Sequence, residues 1–501
     1  MKTLLISLGI SLMILTLAGF DKYNPGTDSR TFSFKTIDAN QIKTVITNTG
    51  YSDRNPGPGT PAFEWPKNSG KYAIYYTGLW ISGKTGDSIR GSRAIYDSEY
   101  RPGYFDYALQ QPMGENDPAY RLYKVSPVHP NGFNDFDPWS DWPVQQGAPW
   151  VDNNGNGIYE PPVDAPVMKG DQNFFCSFTD GYRDSVLNNR SAPPLKAEMK
   201  MYAWAREQQA CADAINYEWK IINKNVSVWN EFSSAIWSDM DIGAGNNDRG
   251  GTDSVKNLAF AYNGIDNDPI YGPAPPAVGI IIKDASRHSQ YKSDFGNVFK
   301  CGTGGCPTDS LQTFRVMQGL NTDGSRIINP VTGSYTNYRY SGDPVSGAGW
   351  NDSTSGDRYV IIGSKFGNVN PFDTIEFKTI TYIKKGTSNL NSVTELKNCA
   401  DQVIPVSNIN TETPAGFTLY QNFPNPFNPN TIINYELRNT NDVKLKVYDI
   451  LGNEVTTLVN EKQTPGSYEL EFDGSGLASG IYFYRLETGE FMQTKRMALV
   501  K

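Results

Sequence analysis

Alternation is what most narrows the folds open to this chain. In residues 215–221 (INYEWKI), Ile215, Tyr217, Trp219 and Ile221 occupy every second position, and a period of two places them on one face of an extended strand. Residues 199–205 (MKMYAWA) alternate in the same way, with Lys200, Tyr202 and Trp204 set between small or apolar neighbours. The two runs read as neighbouring strands. Further strands are expected at 71–82, 233–239, 277–283, 358–364 and 374–383, between stretches rich in turn residues. Glycine and proline number 47 and 32 among 501 residues, enough to punctuate many short strands. Such strands cannot bury their apolar faces alone, so the pattern predicts antiparallel sheets packed as sandwiches. One helix stands out at 392–403. Ser392 as N-cap and Glu395 three residues on give a capping box, and Val393, Leu396, Ala400 and Val403 share a face with Cys399.

Charge excludes some partners. The formal net charge is −8 and no run of Lys or Arg occurs, whereas nucleic acid and anionic membranes both call for a basic surface. At the N-terminus, Lys2 precedes an apolar run from Leu4 to Leu17, and Thr16-Leu17-Ala18 places small residues where a signal peptidase reads. The run is shorter than the roughly twenty residues of a membrane span, so residues 1–18 are expected to be a signal peptide and no transmembrane span is expected. Export permits disulfides, and Cys301 and Cys306 could close a small glycine loop. Cys176 and Cys211 read equally well as packed thiols or as bridge partners.

The last part of the chain repeats the period-two pattern on a smaller scale. Ile433, Tyr435 and Leu437, then Val443, Leu445 and Val447, then Tyr468, Leu470 and Phe472, and finally Tyr482, Tyr484 and Leu486 form alternating sets, with a hairpin turn at Leu451-Gly452-Asn453. The prolines of 424–429 cannot donate to a ladder and are expected to hold their segment extended at a sheet edge. Tyr420 and Asn422, the run Pro424-Asn425-Pro426-Phe427-Asn428-Pro429, Gly452 within VYDILGNEV, and Gly480 within LASGIYFYRL together resemble the C-terminal sorting domain of cargo exported by the type IX secretion system. That resemblance implies a small immunoglobulin-like β-sandwich at 417–501, the type IX secretion machinery as a partner, and a protein secreted or attached to the outer-membrane surface. Residues 407–416 are polar and proline-bearing and read as a linker. Residues 19–406 are then a large β-sandwich-rich body of one or two subdomains, and the whole chain is all-β. The blocks EWPKNSGKYAIYYTGLWISGK, YDSEYRPG, WSDMDIG and PPAVG in the body resemble those of large secreted proteins carrying the same tail, a likeness that implies architecture and no particular chemistry.

Two acidic stretches suggest calcium. In residues 151–164 (VDNNGNGIYEPPVD), Asp152, Asn154 and Asn156 stand at the first, third and fifth ligand positions, the Ile158 carbonyl at the seventh and Glu160 at the ninth, and Gly157 permits the turn. Val163 stands where a bidentate glutamate is usual, with Asp164 one place beyond. The same residue types also favour Asx turns that satisfy only their own backbone. A second cluster, Asp239, Asp241, Asp248 and Asp253, would repel itself unless a cation screened it; a solvated loop is the plainer alternative. Residues 78–85 satisfy GxxxxGK[ST], but the intervening residues are strand-like and no helix follows, so a phosphate loop is not expected and Lys84 should point to solvent. Catalytic signals are thin. The chain has 2 histidines, His129 and His288, and no GxSxG elbow, although a glycosidase's paired carboxylates leave no spacing to read. Trp65, Trp139, Trp142 and Trp150 could stack sugars, with core packing the commoner fate. The expected function is that of an exported, calcium-stabilised structural, adhesive or polymer-binding protein, with glycans among the candidate ligands; the alternative is a secreted, glycosidase-like hydrolase.

Overall fold

The computed structural model describes residues 32–127, 136–182, 192–207, 211–285, 293–300, 306–400, 417–422, 425–439, 441–463, 466–489 and 491–500. The segments expected to be a signal peptide and a linker, together with His129, His288, Cys301 and Pro424, lie outside them. The fold is all-β, as the alternation implies. Two nine-stranded antiparallel sheets make up the body. One runs Phe34–Ile37, Thr44–Thr47, Tyr51–Ser52, Tyr76–Thr85, Trp229–Met240, Arg358–Val369 and Phe295–Phe299, with Ser88–Ile95 as a further partner of Tyr76–Thr85 and Asp97–Ser98 paired to Ser88–Ile95. The other runs Tyr123–Val125, Gln172–Thr179, Ala197–Ala205, Asp213–Asn223, Thr374–Lys384, Ala277–Ala285, Leu258–Asn263 and Asp248–Asp253, with Arg101–Pro102 also paired to Gln172–Thr179.

The core lies between the sheets and follows the period of two. Leu79, Ile81, Ile236 and Ile362 of the first sheet belong to one buried cluster with Met199, Met201, Ile215, Tyr217, Trp219 and Ile221 of the second. The two runs that read as neighbours are neighbours, with Met201 opposite Trp219 and Ala203 opposite Tyr217. The outer face of the second sheet is covered twice. The helix Asn389–Ala400 lays Val393, Leu396, Cys399 and Ala400 on Leu258, Phe260, Ile281 and Tyr382. Elsewhere Trp142 packs with Phe175, Tyr202 and Trp204, and Trp139 and Trp150 pack against that cluster. These tryptophans therefore cover a sheet and form no open platform; Trp65, half-buried, donates to Asp213 Oδ2 at 2.8 Å.

Several local expectations change. The helix begins a turn earlier than its capping box suggested. Ser388 is its cap, with Oγ accepting from Asn391 N at 3.0 Å, whereas Ser392 is buried and donates to the Pro275 carbonyl at 2.8 Å. A second helix, Ser310–Met317, is capped by Asp309, whose Oδ1 accepts from Gln312 N. Cys211 and Cys399 form a disulfide, Cys176 is a buried free thiol, and Cys306 is disulfide-bonded. The run 71–82 divides into Tyr72–Ile74 and Tyr76–Thr85. Tyr76–Thr85 forms a hairpin with Ser88–Ile95, so the GxxxxGK[ST] match is strand and turn. Lys84 does not point freely to solvent: its Nζ lies 2.6 Å from Glu231 Oε1 and 4.9 Å from the centroid of the Phe314 ring.

The C-terminal module is a separate small sandwich. Thr418–Leu419, Asn430–Leu437 and Gly466–Asp473 form a three-stranded sheet, and Glu454–Gln463, Asn441–Tyr448, Gly480–Glu487 and Met492–Leu499 a four-stranded one. Its core contains Ile433, Tyr435, Leu437, Val443, Leu445, Val447, Phe472, Tyr484 and Leu486.

Candidate functional site

Register explains how one group of carboxylates meets. In the first sheet Asp239 stands opposite Tyr359. Extending that antiparallel register by two residues sets Asp241 against Asp357, and alternate residues project from the same face. Carboxylate oxygens of Asp239, Asp241 and Asp357 accordingly lie within 4.8 Å of one another. Like charges placed directly across a strand pair repel. Asp239 is 4% exposed, while Asp241 and Asp357 are half-buried.

Two tyrosines orient this group. The Tyr96 hydroxyl donates to Asp239 Oδ2 at 2.8 Å, and the Tyr359 hydroxyl donates to Asp357 Oδ2 at 2.8 Å. In both carboxylates the other oxygen, Oδ1, is buried without a hydrogen-bond partner. Burial and the neighbouring Asp241 push Asp239 up to about 8; burial and Asp357 push Asp241 up to about 6. Among the described residues, none of the three is ion-paired with a lysine or arginine. The adjacent Arg358 is committed to Asp352, with Nε 2.7 Å from Oδ2 and Nη2 3.1 Å from Oδ1.

Asp248 lies close by. It is fully buried, its Oδ2 accepts from Ile242 N at 3.0 Å, and burial holds its carboxyl well above the usual range, with Asp241, Asp268 and Asp357 adding to the effect. Asn263, opposite Asp248 in the register, donates from Nδ2 to the Ile242 carbonyl at 3.0 Å. Asp248 Oδ1 and Asn263 Oδ1 are both buried without a partner. Asp253 is placed elsewhere. It ends the strand that Asp248 begins, about 16 Å away at strand rise, and it caps a turn through Val255 N and Lys256 N while facing Lys397 at 3.4 Å. Asp357, absent from the sequence-derived set, takes its place in the cluster.

The loop from Asp152 to Asp164 closes on itself. Asp152 accepts from Gly155 N at 2.7 Å, Asn156 N at 3.2 Å and Gly157 N at 2.8 Å. Asn156 Oδ1 accepts from Ile158 N at 2.7 Å. The amides of Asn154 and Asn156 donate to Glu160 Oε2 at 3.3 and 2.7 Å. Asp152, Asn154, Asn156 and Glu160 thus converge in an exposed loop, a geometry common to the calcium and Asx-turn readings. Asp164 is buried, and both its oxygens serve backbone groups, Asn153 N at 2.9 Å and Glu160 N at 2.8 Å.

In the small module, residues 420–422 and 425–429 act as a staple. Tyr484 donates its hydroxyl to the Tyr420 carbonyl at 2.8 Å and accepts from Asn422 N at 2.7 Å. Asn425 accepts from Ala498 N at 2.9 Å. Phe427, 2% exposed, donates its N–H to the Ala498 carbonyl at 2.9 Å and accepts from Val500 N at 3.0 Å. The motif thereby pairs with the edge of Met492–Leu499, and Gly474 N donates to the carbonyl of Pro429 at 2.9 Å. Pro426 and Asn428 flank Phe427 in this segment. Gly452, at φ +83°, forms the hairpin turn, and Gly480 stands opposite Leu499.

The chain is a large sandwich followed by a small, stapled one. Residues 421–500 match the family described as the secretion system C-terminal sorting domain, and the chain carries a type IX secretion sorting tail. No curated protein matches the chain. Among solved structures it is similar to a mutant alpha-2-macroglobulin from Salmonella, at 10% identity and a TM-score of 0.15, over 85% of this chain and 26% of that one. It is also similar to PorZ, an essential bacterial surface component of the type IX secretion system of Porphyromonas gingivalis, at 10% identity and a TM-score of 0.15, over 92% of this chain and 64% of that one. The chain thus spans less than two thirds of either protein's length, and at these TM-scores neither likeness carries an argument.

Proposed function

We propose that this chain is a structural or adhesive protein of the cell surface or its surroundings, with glycans or other surface polymers as ligands of the body and calcium as a stabilising ion. The observation that carries the reading is the sorting tail at 421–500, joined to a body whose two sheets share a single apolar core. Signal-peptide-dependent entry into the periplasm precedes recognition of the tail by the type IX machinery, and the tail is removed after passage. The exposed loop of Asp152, Asn154, Asn156, the Ile158 carbonyl and Glu160 offers hard oxygen donors at calcium spacing. In an exported protein such a loop would contribute stability by binding only the folded state.

Deleting residues from Phe417 onward is expected to strand the body in the periplasm, followed by cell fractionation and surface proteolysis. Normal surface display of the truncated chain would refute the export route. Screening the purified body on a glycan array, and on polysaccharides and peptides for turnover, separates the binding role from that of a secreted hydrolase.

A further inference from the structure

We propose that Asp239, Asp241 and Asp357 bind a divalent cation of the hard, oxygen-seeking class, calcium foremost, and that the ion ties the end of the Trp229–Met240 strand to the start of the Arg358–Val369 strand. The inference deepens the calcium part of the reading above and is independent of the export part. It rests on more than a gathering of acids. The Oδ1 atoms of Asp239 and Asp357 are buried with no partner, although a buried carboxylate oxygen normally finds a donor. Each of these two carboxylates is instead held by a tyrosine through its other oxygen. This is the arrangement in which an outer hydroxyl orients a ligand and leaves one oxygen for the ion.

Spacing agrees with this assignment. Oxygens bound to calcium at about 2.4 Å can be at most about 4.8 Å apart across the ion, and the three carboxylates meet that limit. With one oxygen each, the three carboxylates supply three of the usual six to eight ligands. The half-buried side of the group, at Asp241 and Asp357, leaves room for water to complete the shell. The unpartnered buried oxygens of Asp248 and Asn263 are further acceptors on the neighbouring strands, and Gly245, at φ +61°, brings the intervening loop against Asp241, where a Cβ would stand 2.9 Å from Oδ1. The ion would thus clamp the open end of a strand pair that is already laddered along its length, holding the loop after Met240 against the chain that enters the sheet at Asp357.

The test uses the full-length chain, stripped with chelator and titrated with calcium chloride and separately with terbium. Terbium luminescence excited through aromatic residues reads the cluster through Tyr96 and Tyr359, which touch its ligands, and would read the Asp152 loop through Tyr159 and Trp150, so variants in each site assign the signal. Calcium should raise the melting temperature, and terbium emission should appear with saturable affinity. Asp357→Asn should weaken that affinity about tenfold or more. Asp241→Asn should do the same while raising the melting temperature of the calcium-free protein, since it removes one repelling charge; a merely structural aspartate would lower it. Asp152→Asn, in the separate loop, should leave the terbium signal in place. The proposal is overturned if both cluster variants bind as the parent does, if Asp152→Asn alone abolishes the response, or if no ion alters melting. A chain that is displayed normally yet blind to calcium would sink this inference and leave the tail's role standing.

Discussion

Opening the Cys211–Cys399 bridge should loosen the body by an amount that follows from its place in the chain. The two cysteines are 188 residues apart, and closing a loop of that length lowers the entropy of the unfolded chain by the equivalent of about 5 kcal/mol at 25 °C, with about 2 kcal/mol a common lower figure. A body of roughly 370 residues unfolds with an entropy near 0.8 kcal/mol/K, so the melting temperature should fall by about 3 to 7 °C. Cys399 sits in the last turn of the helix Asn389–Ala400, buried beside Val393, Leu396 and Ala400. Losing the bridge should therefore free that helix before the sheets beneath it. Thermal melts with and without reductant, with thiol titration to confirm opening, measure the effect without creating a cavity. The double variant Cys211→Ala with Cys399→Ala serves as the reference that reductant should move far less. A shift below about 1 °C with the bridge shown to be open would refute the loop-entropy reasoning.

Two further outcomes are expected. Asp53 is buried and accepts from Thr44 Oγ1 at 2.9 Å and Ser52 Oγ at 3.0 Å, and burial outweighs these hydroxyls to push it up to about 6. A carboxyl raised above its unfolded value of about 3.9 contributes stability that is present at low pH and lost as pH rises through the folded value, here about 3 kcal/mol between pH 4 and 6. Asp53→Asn should flatten that slope and be the more stable protein at pH 7 by urea midpoint; a variant less stable at every pH would contradict this. Phe427→Ala removes a buried ring 6.0 Å from Phe472 and should cost the small module about 3–5 kcal/mol, seen as protease sensitivity of the tail and periplasmic retention. Parental protease resistance and display would show that the ring is dispensable.

The sandwich was legible because its signal is local. Ile215 to Ile221 and Met199 to Ala205 state their faces by alternation, and both faces are buried as that pattern demands. The small module was legible for the same reason, in sets such as Val443, Leu445 and Val447. The carboxylate cluster was legible only in part. Asp239 and Asp241 stand out as an i, i+2 pair at a strand end, but their partner Asp357 arrives through a register between strands more than a hundred residues apart, which no spacing reveals. Asp253 looked equivalent to Asp248, yet the strand they bound carries them to opposite ends. The short helix at Ser310 left a signal that period-two reading passed over: Asp309 as cap and Gly319 at φ +77° just beyond its end. The Cys211–Cys399 pairing depends on helix docking, a tertiary event that composition does not encode.

The staple in the small module makes its signal a property of shape. Phe427 and Asn425 grip the strand Met492–Leu499 from some seventy residues earlier in the chain, so neither the motif nor that strand is complete until the other is in place. A receptor that reads the assembled edge would pass over a peptide of the same sequence. Cargo would then be licensed for departure only once its address has folded.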